Sequence, residues 1–300
     1  MKNYKVAAVV VTYNRLELLK KCIDAIRNQT RKVDEIIVVN NSSTDRTFEW
    51  LTTQNDLTVI TQENSGSAGG QYTGIKTAYE KGYDWIWCLD TDIIANNDAL
   101  EKLLETKIIN NSIGFLSSNI YYPDGNLAHA NIPELSNSYD VLNMISKYHI
   151  VPILSASFGS VLFPREVIKK VGLPSKDFFI WGDDAEYTLR IIQNGFKGFL
   201  ILQSIATHYN NYNESKPYKD LKISERKFLF GIRNMVYVNI LRNRIIHNSK
   251  LRGYVSALGF VIRIYKQRNG SKLNLVDLFS LTRLYIKGFI FSPQIEKADE

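Results

Sequence analysis

Apolar runs that stop abruptly in polar clusters constrain this chain more than any other feature. Residues 5–11 run into Thr12-Tyr13-Asn14-Arg15, residues 35–39 into Asn40-Asn41-Ser42-Ser43-Thr44-Asp45, and residues 85–89 into Asp90-Thr91-Asp92. Continuous runs of β-branched and aromatic residues fit strands covered on both faces. A shorter strand is predicted over 57–61. Leu16, Leu19, Ile23 and Ile26 mark one face of a helix over 16–29, and further helices are predicted over 46–53 and 71–81. The stretch before the last of these, Glu63-Asn64-Ser65-Gly66-Ser67-Ala68-Gly69-Gly70, reads as a glycine loop. Such alternation predicts an α/β fold, a mostly parallel open sheet flanked by helices, with ligands beyond the strand C-termini. Thr12, Asn40 and Asp90 would gather there.

Asp90 and Asp92 point the same way if the strand stays extended past Leu89. Two carboxylates so placed repel unless a cation lies between them. Hard cations such as Mg²⁺ or Mn²⁺ favour oxygen ligands of this kind, often shared with a substrate phosphate. The alternative is a strand followed by a helix start, with Asp92 or Asn96 as its N-cap. The glycine loop has no G-x-G-x-x-G match and follows the third strand, which disfavours a dinucleotide dehydrogenase. No Walker A sequence is present either.

A hydrophobic fraction of 45% supports a large core, and 22% charged residues is ordinary for a globular protein. Cys22 and Cys88, the only cysteines, fall on a predicted helix and strand with no paired spacing, which fits a reducing, cytoplasmic setting. No apolar run is long enough for a transmembrane helix. The net charge of +7 is uneven: residues 214–300 hold 17 Lys and Arg against 7 Asp and Glu, a net +10, which leaves −3 for the rest. The division predicted is a catalytic domain over 1–213 and a basic helical region over 214–300.

A second acidic cluster lies at Trp181-Gly182-Asp183-Asp184-Ala185-Glu186, before a helical spacing of Ala185, Leu189 and Ile192. Asp183 and Asp184 would sit at that helix's N-terminus, where capping and the helix dipole alone explain acids. His208 follows a strand predicted over 198–202, and a lone histidine is more often a hydrogen-bonded core or surface residue than a ligand. Residues 155–163 are expected to form a strand and loop. His129 and His149 carry no readable signal. Beyond residue 214 the pattern is helical, with isoleucines and aromatics among Arg252, Arg263, Lys266, Arg283 and Lys287. That fits either an amphipathic platform on an anionic membrane or helices packed on the catalytic domain. Membrane contact is favoured, and nucleic acid is not, since no binding motif accompanies the charge.

In order and spacing over roughly the first 210 residues, Val9-Val10-Val11-Thr12-Tyr13-Asn14-Arg15, Val38-Val39-Asn40-Asn41-Ser42-Ser43-Thr44-Asp45, the glycine loop and Asp90-Thr91-Asp92 resemble family-two inverting glycosyltransferases with a GT-A fold. The resemblance implies a nucleotide-sugar donor across the strand ends, with Thr12 and Asn14 near base and ribose and Asn40, where many members carry Asp, near the uracil. Asp90 would touch the donor too, and Gly69 and Gly70 would let backbone approach it closely. The 181–186 stretch resembles the acceptor motif of galactofuranosyltransferases, with Gly182 inserted. Carried over, Asp184 is the general base, while Trp181, Asp183 and Glu186 border the acceptor. Members also place a histidine at a matching distance, which makes His208 the third metal ligand with Asp90 and Asp92; a histidine there suits Mn²⁺ at least as well as Mg²⁺. Arg233-Asn234 resembles a pair common after this domain, and the sequence leaves its role open.

The function this implies is metal-dependent transfer of galactofuranose from UDP-galactofuranose, with inversion, to a glycan or lipid-linked acceptor in cell-surface polysaccharide synthesis. The enzyme would be cytoplasmic, on the inner face of the membrane. Rhamnose transfer from dTDP-rhamnose is the nearest rival. A nucleotide-sugar pyrophosphorylase would carry a basic glycine-rich N-terminal signature, where Thr12-Tyr13-Asn14-Arg15 stands instead. A non-catalytic sugar- or lipid-binding protein would need no base at Asp184.

Overall fold

A computed structural model describes residues 4–105, 110, 112–136, 141–210, 213, 218, 221–270 and 272–299. Residues 214–217, where the second region was expected to begin, lie outside the described residues. The apolar runs become strands β1 (Val6–Thr12), β2 (Glu35–Asn40), β3 (Leu57–Thr61) and β4 (Trp85–Asp90). They are followed by β5 (Ile93–Ala95), β6 (Ile113–Tyr121), β7 (Glu134–Leu135), β8 (Ile150–Ser155), β9 (Ser160–Pro164) and β10 (Lys197–His208). All ten join one sheet, in the order β3-β2-β1-β4-β9-β6-β10-β8-β7 with β5 beside β10. The first four strands are parallel, β9 runs against β4 and β6, and β6 and β10 are parallel again.

Alternation along β1 feeds two cores. Val6, Ala8 and Val10 face a layer holding α1 (Leu16–Arg27), α2 (Thr47–Thr52) and α4 (Ala99–Leu104). Ala7 and Val9 face α3 (Gly66–Glu80), α6 (Arg165–Val171) and α7 (Asp183–Gln193). A short helix, α5 (Val141–Tyr148), borders β8. The glycine stretch departs from its expected form. It is not a loop before residue 71; the helix begins at Gly66 and contains Gly69 and Gly70. The reason is packing. A Cβ on Gly70 would stand 2.3 Å from Val11 Cγ1, and one on Gly74 would stand 2.2 Å from Val9 Cγ1, so glycine lets α3 lie directly on β1.

The last strand is also longer than expected. β10 continues past 202 through a register shift between Ile201 and Ile205, and its second half pairs with both β6 and β5. That bulge carries His208 to the strand end instead of beyond it. Helices α8 (Arg226–His247), α9 (Lys250–Asn269) and α10 (Leu275–Ile290) form a cluster of their own around Phe228, Ile232, Val236, Ala257 and Leu284. They are not detached, because α8 packs on α7 through Leu189, Val238 and Leu241. The final residues run back over the sheet domain: Glu296 pairs with Lys76 at 2.6 Å, and Ala298 is buried beside α3 and α6. No helix of the described residues is long and apolar enough to cross a membrane.

Candidate active site

Parallel pairing sets Thr12 beside Asn40 and Val11 beside Asp90, so the C-terminal ends of β2, β1 and β4 form one row. The expected gathering of Thr12, Asn40 and Asp90 is therefore built. Asn14, in a left-handed conformation (φ 53°), ties two loops together. Its Oδ1 accepts from the Thr44 N–H at 2.6 Å, and its own N–H donates to Ser43 Oγ at 3.0 Å. Asn40 makes the turn contact anticipated for it, Oδ1 accepting from the Ser43 N–H at 3.0 Å, yet its buried Nδ2 has no partner among the described residues. Thr12 Oγ1 is buried and unpaired in the same way. Leaving such atoms unsatisfied costs about 1–3 kcal/mol each, so an arriving ligand or water is the natural partner. Beside them opens a cleft of about 400 Å³ lined by Asn40, Ser42, Thr44 and Phe48.

The Asp-x-Asp turn leads into β5, which lies antiparallel to the end of β10 with Ile93 opposite His208. The Tyr209 N–H donates to the Asp92 carbonyl at 2.8 Å and fastens the two segments. His208 Nε2 thereby stands 3.5 Å from Asp92 Oδ2, while its Nδ1 meets Asn131 Oδ1 at 2.6 Å. Arg15 also pairs with Asp92. Burial works to raise the Asp92 carboxyl, but His208 and Arg15 hold it below the ordinary carboxylate range. Asp90 behaves oppositely: burial first, then the charge of Asp92, pushes it up to about 7. Neither Asp92 nor Asn96 caps a helix side-chain first; α4 starts after Asp98, without a side-chain cap.

The second acidic cluster arrives from the far side of the sheet. Asp184 is close enough to Asp90 to add to its repulsion. Burial raises the Asp184 carboxyl, opposed by the Ala185 N–H, which donates to Oδ1 at 2.7 Å. Asp183 is buried, and burial together with Asp184 raises it well above the usual range. Asp183 and Asp184 do fall in the first turn of α7, as expected, but Asp183 is not its cap: the N-cap is Gly182 at φ 88°, and no side chain caps the helix. No cation pairs with Asp183 or Asp184 among the described residues. Glu186 is fully engaged elsewhere: Arg190 grips it through Nε and Nη2 at 2.7 and 3.1 Å. Trp181 turns its ring into the helical cluster, edge-on to Tyr218 at 5.4 Å. Gly69 and Gly70 face Ser65 and Val11, and packing accounts for both.

Among the described residues no three acid, histidine or cysteine side chains form a ready metal cage. The donors present nonetheless fit a divalent cation by chemistry. Asp92 and His208 are in contact, Asp90 lies near enough for both to act on its charge, and the raised Asp90 registers negative charge that a cation would relieve. Arg15 supplies part of that relief and was overlooked as a site residue, although it stands in the quoted Thr12–Arg15 cluster. Asn131, which orients His208, gave no sequence signal. Gln71 of α3 is fully buried, and neither amide atom has a partner among the described residues.

Comparison with known proteins follows the same lines. Galactofuranosyltransferase GlfT1 of Mycolicibacterium smegmatis is 28% identical over 249 residues, covering 78% of this chain and 82% of that protein. The crystal structure of S. aureus TarS 1-349 in complex with UDP-GlcNAc superposes with a TM-score of 0.58 at 14% identity, over 95% of this chain and 81% of that one. GalNAc-T7, solved with UDP, GalNAc and Mn²⁺, gives a TM-score of 0.60 at 15% identity over 79% of this chain. The match spans about half of the GalNAc-T7 chain (48%). The architecture is that of the GT-A glycosyltransferases. Residues 7–172, more than half of the sequence, match the model for glycosyl transferase family 2, and the chain belongs to that family.

Proposed function

We propose that this glycosyltransferase moves galactofuranose from UDP-galactofuranose to a hydroxyl of a glycan or lipid-linked acceptor, with inversion. The observation that carries the reading is the meeting of two acidic segments, Asp90-Thr91-Asp92 and Asp183-Asp184, at one strand-end site. The likeness to GlfT1 supports the choice of sugar. Thr12 Oγ1 and Asn40 Nδ2 offer unpaired polar atoms to the nucleoside, beside the adjoining cleft. Asp184 takes the proton of the acceptor hydroxyl as that oxygen attacks the anomeric carbon, and the bond to UDP breaks on the opposite face. Burial lifts its pKa toward the working pH, which suits a general base. A divalent cation on Asp90, Asp92 and His208 would supply positive charge against the departing diphosphate. Arg15 remains beside Asp92 to balance charge when UDP leaves.

The test is UDP release from UDP-galactofuranose, UDP-glucose and dTDP-rhamnose, each with Mn²⁺, with Mg²⁺ and with chelator. Turnover greatest on UDP-galactofuranose with metal is the expected outcome. Equal turnover on dTDP-rhamnose would transfer the assignment to rhamnose.

A second observation supports a further part of this reading, that the enzyme works against an anionic membrane, at its inner face. On α9, α10 and their link, Arg252, Arg263, Lys266, Lys272, Arg283 and Lys287 are exposed. Exposed apolar residues lie among them, including Leu251, Val255, Phe279 and Ile290 at 65–72%. Asp277, the one acid between 248 and 292, is buried against Arg268. Cations and apolar side chains on an acid-free face are what an anionic bilayer surface selects.

A further inference from the structure

The backbone before α7 is held in an unfavourable shape. Phe179 (φ 63°), Trp181 (φ 60°) and Gly182 (φ 88°) are all left-handed, and only the last is glycine. A non-glycine residue in this region costs about 1–3 kcal/mol and persists only where its surroundings enforce it. The enforcement comes from α8. Asn234 is fully buried, and its Nδ2 stands 2.8 Å from each of the carbonyls of Phe178, Ile180 and Trp181, its two N–H groups shared among the three. Its Oδ1 accepts from Arg233 Nε at 2.9 Å and Nη2 at 2.7 Å, which fixes the amide with its donors toward the loop. Arg233 Nη2 also donates to the Asp177 carbonyl at 2.7 Å, and its guanidinium lies over the Phe291 ring at 3.9 Å. From the opposite side, the Ala68 N–H of α3 donates to the Phe179 carbonyl at 3.2 Å.

The amide therefore reaches three carbonyls of a five-residue stretch whose end, Gly182, is the N-cap of α7. The first two residues of that helix are Asp183 and Asp184. A change in the path of residues 178–182 would change where α7 starts and where the Asp184 carboxylate lies relative to Asp90. We infer that Asn234, oriented by Arg233, is a positioning residue that fixes this loop and so aims Asp184 at the acceptor hydroxyl. This rests on the assignment of Asp184 as the base. It also makes α8 part of what positions the base. A displacement of about 1 Å can cost on the order of 10²-fold in rate, whereas donor groups on β1, β2 and β4 stay in place.

The experiment measures kcat, acceptor KM, donor dissociation constant and thermal melt for the full chain carrying Asn234→Ala, Arg233→Lys or Asp184→Asn. Asn234→Ala is expected to lower kcat about 10–100-fold with donor affinity within about twofold of native. Arg233→Lys keeps the charge and Asn234 but loses the planar fork, and should lower kcat less, in the same pattern. A folded Asn234→Ala with native kcat, beside an inactive Asp184→Asn, overturns the positioning role and leaves the base assignment standing. An active Asp184→Asn overturns the base itself. Should Asn234→Ala fail to fold, Arg233→Lys decides: native kcat in that folded variant counts against the role, and a selective fall in kcat supports it.

Discussion

At the scale of single residues, the site is defined by acids that burial and mutual repulsion push away from their ordinary behaviour. Asp183 is the extreme case, buried with no cation partner among the described residues, its carboxyl raised by burial first and by Asp184 second. The sign follows from linkage. A carboxyl whose pKa is higher in the folded than in the unfolded state penalises folding once the unfolded group ionises, and the penalty is absent below the unfolded pKa. Asp183→Asn is thus predicted to stabilise the metal-free protein at pH 7.5 by on the order of 1 kcal/mol, about 2–4 °C in Tm. The gain should fade as the pH drops toward the ordinary carboxylate value. Thermal melts of both proteins with chelator from pH 4.5 to 7.5 check this, and a lower Tm at pH 7.5 would return Asp183 to a capping role. The acids themselves were legible in the sequence, because two carboxylates one residue apart after an apolar strand have few uses. Arg15 and Asn131 were not. Their partners, Asp92 and His208, lie 77 residues away in each case, and local pattern carries no trace of such pairing.

At the scale of elements, the strands and helices of the first ninety residues were legible because their apolar periods are unbroken. α3 was misread at its start, since glycine is a poor helix former in isolation and its fit against Val9 and Val11 is a tertiary effect. The bulge in β10 escaped notice for a similar reason, as one strand looked finished at 202 while its partner strands carried it on to His208. The hairpin of α9 and α10 was legible as amphipathic, and its solvent face supports a specific prediction. Because α9 and α10 also support α8, deleting them would confound membrane binding with loss of the loop clamp. Arg263→Glu with Arg283→Glu leaves the packing alone, since both side chains are exposed. Sedimentation with anionic vesicles at low salt should capture the native protein and lose this variant, and high salt should release the native protein by screening. Native protein that ignores anionic vesicles at low salt would reduce the hairpin to a packing element.

At the scale of the whole molecule, the expected division at residues 213 and 214 describes composition better than mechanics. The helical region has its own apolar cluster, but α8 grips the loop ahead of Asp184 and the chain's end returns to Lys76 and Tyr79. Charge counting registers a basic tail; it is silent on a buried amide that reaches back 56 residues to the Phe178 carbonyl. On the proposed reading, the front half supplies the donor row, the middle supplies the acids of α7, and the tail holds the two in register. One measurement bears on that division of labour most directly. Native protein and Asp184→Asn are compared with UDP-galactofuranose and Mn²⁺, donor affinity by calorimetry and transfer by steady-state kinetics. The prediction is unchanged donor affinity, within about twofold, and a kcat lower by roughly 10²–10⁴-fold, the usual contribution of a positioned general base. Transfer by Asp184→Asn at the native rate would contradict it.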